Sequence, residues 1–364
     1  MEDEVLPHKL WYNRGSGLQE VFSRRRHVTA ALLIGLLGAI VSGCQWPSGV
    51  KDDMQEYRAR LARVLDVAFP APASAVSLTL PANALLTRPV ERMNVNLRDF
   101  YQLQQCELGT LVAQRNTALG KTAHPSQRFI YETRLLRQLA ACSKVIDKSN
   151  PTLSHQLEQW LAAKQRQRPV LWANLIQTSP ELRAGLSRGA SYIEPTTNDS
   201  ASATLAALGF LQGIKQTPQR ALTSLEQQLK AIDSNRLPAR VWRTQYEIAR
   251  QLNALNSTLA KHLPALACPN EKASEQVTIL HNVFSLFFIN KIQPVGSKLN
   301  QYHYHMLPVW QQWQHDPDLH PAFKAFLQQH AQIGFANYQR AIKDHVTLWQ
   351  TLFARCNLSP APPP

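Results

Sequence analysis

Residues 94–119 read NVNLRDFYQLQQCELGTLVAQRNTAL and residues 125–145 read PSQRFIYETRLLRQLAACSKV. In the first stretch Leu97, Phe100, Tyr101, Leu103, Cys106, Leu108, Leu111 and Val112 recur at the intervals that bring side chains to one face of an α-helix. The second stretch repeats the pattern with Ile130, Leu135, Leu136, Leu139 and Cys142. It opens on Pro125, whose missing N–H is not needed in a first helical turn. Gly120 between them stops the first run. The two predict a helical hairpin, and its cysteines predict a staple. Cys106 lies 14 residues before Gly120 and Cys142 lies 16 after Ser126, so at ~1.5 Å per residue both stand level, roughly 21–24 Å from the turn.

Working outward, helical periodicity is read at 52–67 (capped by Asp52 or Asp53, with Tyr57, Leu61, Val64 and Leu65 on one face), 152–164, 170–177, 180–186, 204–215, 218–232, 238–262 and 321–355. The Pro-, Ala- and Ser-rich stretch 69–89 reads as a loop or strap, and 192–202 as a polar loop. The apolar run 277–292 fits either a buried helix or paired strands, and the reading leans to helix. Glycine is scarce at 14 residues, which favours helix, and no fixed-period repeat is present. The expected fold is all-α, an irregular multi-helix bundle with long helical hairpins and two disulfides. With Cys106 and Cys142 paired, Cys268 and Cys356 pair by elimination.

The N-terminal region sets the compartment. Arg24-Arg25-Arg26 precede a 14-residue uncharged apolar run, 28–41, which is short for a bilayer span and of the length of a signal-peptide core. Val41-Ser42-Gly43-Cys44 then resembles the lipobox of a bacterial lipoprotein, in which Cys44 is acylated and becomes the new N-terminus. Residues 1–43 are read as the signal peptide, with 1–20 an over-extended start because this acidic segment is unlike a signal-peptide beginning. Residues 44–50 form the lipidated tether, 51–358 the helical periplasmic domain, and 359–364 a Pro-rich tail. Gln45 after the cysteine, in place of aspartate, points to the outer membrane and its periplasmic face. The sulfur chemistry agrees, since an even set of four further cysteines suits an oxidising compartment.

Charge narrows the partners. The chain carries +14, and residues 1–43 hold five basic and four acidic side chains, so +13 belongs to the remainder. A surplus of this size attracts polyanions over a Debye length of ~8 Å. In the envelope such a partner is an anionic envelope component, or a protein, and nucleic acid is not expected.

At Arg115-Asn116-Thr117-Ala118-Leu119-Gly120-Lys121, at Pro125-Ser126-Gln127-Arg128, and at Trp349-Gln350 before Cys356, the chain resembles an uncharacterised proteobacterial lipoprotein family, domain-of-unknown-function family 3080. Residues 60–67 and Tyr131-Glu132 are similar too. The resemblance implies lipoprotein export and supplies no catalytic residue or ligand.

Chemistry is sparse. Arg115, Asn116, Lys121, Gln127, Arg128 and Glu132 gather at one end of the expected hairpin. Arg115, Lys121 and Arg128 are the candidate anion-binding residues there, because a guanidinium fork matches phosphate or carboxylate. Alternatively, Asn116, Arg128 and Glu132 satisfy one another and the turn. Histidines crowd the C-terminal half (His281, His303, His305, His315, His320, His330 and His345), yet no zinc-ligand spacing occurs, and neither a metal nor a cofactor is expected. Nucleophile-elbow, phosphate-loop and dinucleotide motifs are missing. Trp160, Trp172, Trp242, Trp310, Trp313 and Trp349 lie in helical patterns and read as core. The leading reading is a non-enzymatic scaffold that binds an envelope protein or an anionic component. The alternative is a wall- or lipid-modifying enzyme that uses Glu132 or the histidine-rich C-terminal region.

Overall fold

A computed structural model describes residues 49–91, 93–117, 124–196, 198 and 200–358. Among these there is no β-strand. The helices are α1 (Val50–Leu65), the single turn α2 (Asn83–Leu86), α3 (Leu97–Leu103), α4 (Glu107–Asn116), α5 (Pro125–Ile146), α6 (Pro151–Thr178) and α7 (Pro180–Ser187). They continue with α8 (Ala201–Gly213), α9 (Ala221–Asn235), α10 (Leu237–His262), α11 (Glu275–Val283), α12 (Gln293–His315), α13 (Pro321–Leu327) and α14 (Gly334–Arg355). The all-α class stands as read, and among the described residues no helix is long and apolar enough to cross a membrane. The signal segment, Cys44, Lys121 and the Pro-rich tail lie outside the described residues.

Two apolar cores organise the helices. The larger gathers α1, the C-terminal half of α6, and the elements from α7 to α14, with Trp172, Trp242, Trp310, Trp313 and Trp349 almost wholly buried in it. The smaller joins Leu103 of α3, Leu108 and Leu111 of α4, Leu135 and Leu139 of α5, and Leu153 and Leu157 of α6, with Trp160 packed on it. Helix α5 lies along α6, α10 along α14, and α8 along α9. α6 therefore contributes one half of its length to each core.

Several boundaries differ from the sequence reading, each for a local reason. The first helix is capped by Gly49, so Asp52 and Asp53 sit in its first turn, where the exposed N–H groups favour a carboxylate. Asp53 is buried and pairs with Lys291 at 3.0 Å. The helix starts one residue into the expected tether, with Val50 in the core, and stops at Asp66, which takes a left-handed conformation at φ 51°. The run 94–119 is two helices. Cys106 is extended between them, and a Cβ on Gly109 would stand 2.8 Å from the Leu103 carbonyl oxygen, so the tight break rests on that glycine. The segments 152–164 and 170–177 are one helix, α6, which carries Pro169 inside it.

The run 277–292 is helical, as expected, but Phe284–Ile292 widens to a π-helix. Gln293 N–H donates to the carbonyl of Phe288, five residues back, immediately before Pro294, which has no N–H to give. A second π segment, Gln328–Ile333, interrupts the expected long C-terminal helix between α13 and α14. α12 is a helix that the sequence reading left unassigned.

Both cysteine pairs form as read. Cys106 and Cys142 have Cα atoms 5.7 Å apart, and Cys268 and Cys356 5.2 Å. The first ties the α3–α4 break to α5, and the second ties the segment after α10 to the end of α14.

Candidate functional site

The residues gathered by the hairpin reading line one cleft beside the smaller core. Asn96 caps α3 reciprocally: its Oδ1 accepts from Asp99 N–H at 2.8 Å, and its Nδ2 donates to the Asp99 carboxylate at 2.7 Å. That cap sets Leu97 and Phe100 along one wall. Val112, Arg115 and Asn116 come from α4, and Arg128, Tyr131, Glu132 and Leu135 from α5. The cleft holds about 710 Å³, within the range of roughly 300–1,000 Å³ typical of small-molecule sites.

Glu132 is the centre of its polar floor. Its side chain is 3% exposed, Arg128 Nε donates to its Oε1 at 2.8 Å, and Lys164 Nζ of α6 stands 3.1 Å from its Oε2. Lys164 also donates to the Glu91 carbonyl at 3.2 Å. Arg115 lies over the Tyr131 ring, 5.9 Å from its centroid. Burial, with the Glu132 charge adding to it and Arg115 and Arg128 opposing, raises the Tyr131 phenol to about 12, so it stays neutral. Three cations, Arg115, Arg128 and Lys164, face one carboxylate, and the floor is positive.

Arg128 is the chemically open member. Among the described residues only its Nε is engaged, so both terminal amino groups remain on a half-buried side chain at the cleft. A guanidinium held by Nε presents a planar two-donor fork suited to phosphate or carboxylate. Glu132 accepts a hydrogen bond from Arg128 at Oε1 and is ion-paired with Lys164 at Oε2 without hydrogen-bond geometry, which makes it a positioning group for both.

Of the six residues expected together, Arg115, Asn116, Arg128 and Glu132 are brought to the cleft. Gln127 turns away and donates to Glu226 of α9, because one residue along α5 rotates the side chain by ~100°. Sequence reading missed Lys164. Its signal was present, since Leu157, Lys164 and Leu171 lie seven residues apart on one face of α6, where a charged side chain is out of pattern.

The C-terminal histidines do not converge. His303 stacks on Phe335 with ring centroids 3.4 Å apart, His330 lies against Trp242, and His345 lies between Tyr57 and Trp349 in the larger core. Burial lowers His303 and His330 to about 4 and His345 to about 3. His320 Nδ1 caps α13 by accepting from Ala322 N–H, and His305 is exposed. Among the described residues no group of three His, Cys, Asp or Glu side chains is placed to hold a metal ion. A smaller recess of about 220 Å³ lies between Ala75–Leu78 of the strap and α10, but its buried Glu247 is already bound by Arg250, Gln251 and Tyr192.

No curated protein and no solved structure matches the chain. A sequence-family model described as "Protein of unknown function (DUF3080)" matches residues 54–360, a span that includes the smaller core, all of the larger core but Val50, both disulfides and every described residue of the cleft. The chain therefore belongs to the DUF3080 family.

Proposed function

We propose that this protein is a lipid-anchored binding protein of the bacterial envelope, held through Cys44 at the periplasmic face of the outer membrane, whose cleft takes an anionic envelope component. The observation that carries the reading is the Arg128 fork, open to the cleft while its Nε is fixed on buried Glu132. The excess of basic side chains over the rest of the chain favours the same class of partner. Binding is favoured over catalysis because the buried carboxylate is ion-paired with both Arg128 and Lys164.

In-cell photocrosslinking tests it, with a photoreactive residue at Asn116, which lines the cleft and is exposed. The expected result is an adduct with an anionic lipid or glycan that is lost on Arg128→Lys. Recurrent capture of one protein and no such adduct would replace the anionic ligand with a protein partner. Anchoring is tested by metabolic labelling with a radioactive fatty acid, where label that persists in Cys44→Ser would overturn the assignment of the anchor.

A further inference from the structure

The lining of the same cleft constrains the shape of its ligand, given that the cleft binds an anion as proposed above. Beside the charged side chains much of the remaining lining is apolar: Met93, Val95, Leu97, Phe100, Val112 and Leu135. Leu97 is 69% exposed, although it stands over a cleft that could shelter it. Exposed apolar side chains scattered singly need no explanation, but this one continues a wall that includes Phe100 and runs down to the Arg128 fork. A small inorganic anion would use the fork and leave the wall wet. A purely apolar ligand would take water from the two terminal amino groups of Arg128 and give them no acceptor, which disfavours it.

We infer that the cleft binds an amphiphile, a molecule with one acidic head group and one apolar chain. The head group, a phosphate monoester or carboxylate, lies bidentate on the terminal amino groups of Arg128, beside Arg115. The chain lies along the Met93–Phe100 wall against Val112 and Leu135, and displaces water from Leu97. Tyr131, kept neutral at physiological pH by burial, can donate its hydroxyl without adding a repelling charge. The volume of about 710 Å³ accommodates a single chain with its head group better than it would a bare ion.

The test uses the full chain in nanodiscs of zwitterionic lipid and a dodecyl phosphate carrying a diazirine on its chain, with crosslinked residues located by mass spectrometry. Labelling is expected at Leu97, Phe100 or Val112, competed by dodecyl phosphate and dodecanoate and not by dodecanol or inorganic phosphate at equal concentration. Competition by phosphatidate vesicles assigns the ligand to the membrane, and competition by single-chain anions alone assigns it to a free amphiphile. Arg128→Lys keeps the charge beside Glu132 but removes the fork, and is expected to weaken labelling about tenfold or more. Phe100→Ser should weaken dodecyl phosphate several-fold and leave inorganic phosphate without effect at equal concentration. If inorganic phosphate competes as well as dodecyl phosphate, the anion-binding reading stands and the amphiphile inference falls. If dodecanol competes equally and Arg128→Lys labels normally, the anion-binding reading falls with it.

Discussion

Lys164 Nζ and Glu132 Oε2 stand 3.1 Å apart on neighbouring helices, with side chains only 4% and 3% exposed. Two charges taken out of water are stable there only as a pair, so removing one is costly while removing both is not. Glu132→Leu is expected to destabilise the protein by about 3–5 kcal/mol, because Lys164 is left buried without its counter-charge. Adding Lys164→Met should recover most of that loss. Urea midpoints of the two variants decide it, and a double variant less stable than the single would contradict the argument. Arg128, at the cleft edge, can turn to solvent and contributes little to the penalty.

This pair also marks where sequence reading ends. The hairpin, the capping proline at 125 and the level cysteines come from local rules: helical rise, the missing proline N–H and chain geometry. Arg128 and Glu132 were legible as neighbours because four residues along a helix place side chains together. Lys164 stands out of pattern on its own helix face, but its meeting with Glu132 depends on how α5 packs along α6, which no spacing encodes. The same limit applies to the π segments, whose register shift at Gln293 reflects Pro294 beside it and the fit of Phe284 and Phe288 in the larger core. In α6, Pro169 lies between the stretches 152–164 and 170–177, which the periodicity separates, yet packing on both halves carries the helix through it.

Acid should destabilise the fold. His303, His330 and His345 are neutral in the folded chain, with values pushed by burial to about 4, 4 and 3 from an ordinary 6.5. At His345, Nδ1 faces Asn256 Oδ1 at 2.7 Å, while Nε2 accepts from the Trp349 indole, so a second ring proton would meet the Trp349 N–H. Depressed histidine values mean that stability is fully present above pH 6.5 and falls as pH drops towards 4, since the unfolded chain binds the protons first. Each ring costs on the order of 2 kcal/mol at pH 5. Calorimetry at pH 7.5, 6 and 5 should show Tm falling steadily, and a Tm unchanged down to pH 5 would refute it.

The disulfides should differ in weight. They close loops of 36 and 88 residues, for which restriction of the unfolded chain amounts to roughly 3.8 and roughly 4.6 kcal/mol. Cys268→Ala with Cys356→Ala is therefore expected to lower Tm more than Cys106→Ala with Cys142→Ala. The reverse order would show that the shorter loop, which fixes the α3–α4 break, holds more native structure than its length suggests.

Gly334, at the start of α14, is a tight fit. A Cβ there would stand 2.5 Å from Gln245 Nε2 and 2.6 Å from the Tyr246 hydroxyl. Gln245 is fully buried and donates to the His330 carbonyl at 2.6 Å, so it has little room to retreat. Gly334→Ala is expected to cost about 1–3 kcal/mol despite its better helix propensity. Thermal melts check this, and an unchanged or raised Tm would show that the contact yields freely.

Because α6 is shared, the two cores need not open together. The smaller core rests on few side chains and is joined to the larger through α6 and through Phe129 at the start of α5, which is the arrangement of a separately cooperating unit in native-state hydrogen exchange. Amides of α4 and the N-terminal half of α6 would then exchange through a sub-global opening, while those of α10 and α14 wait for global unfolding. A ligand that bridges α3, α4 and α5 at the cleft would slow the first class selectively. The protein would thus register occupancy as a local change in rigidity, transmitted along α6 towards Trp172.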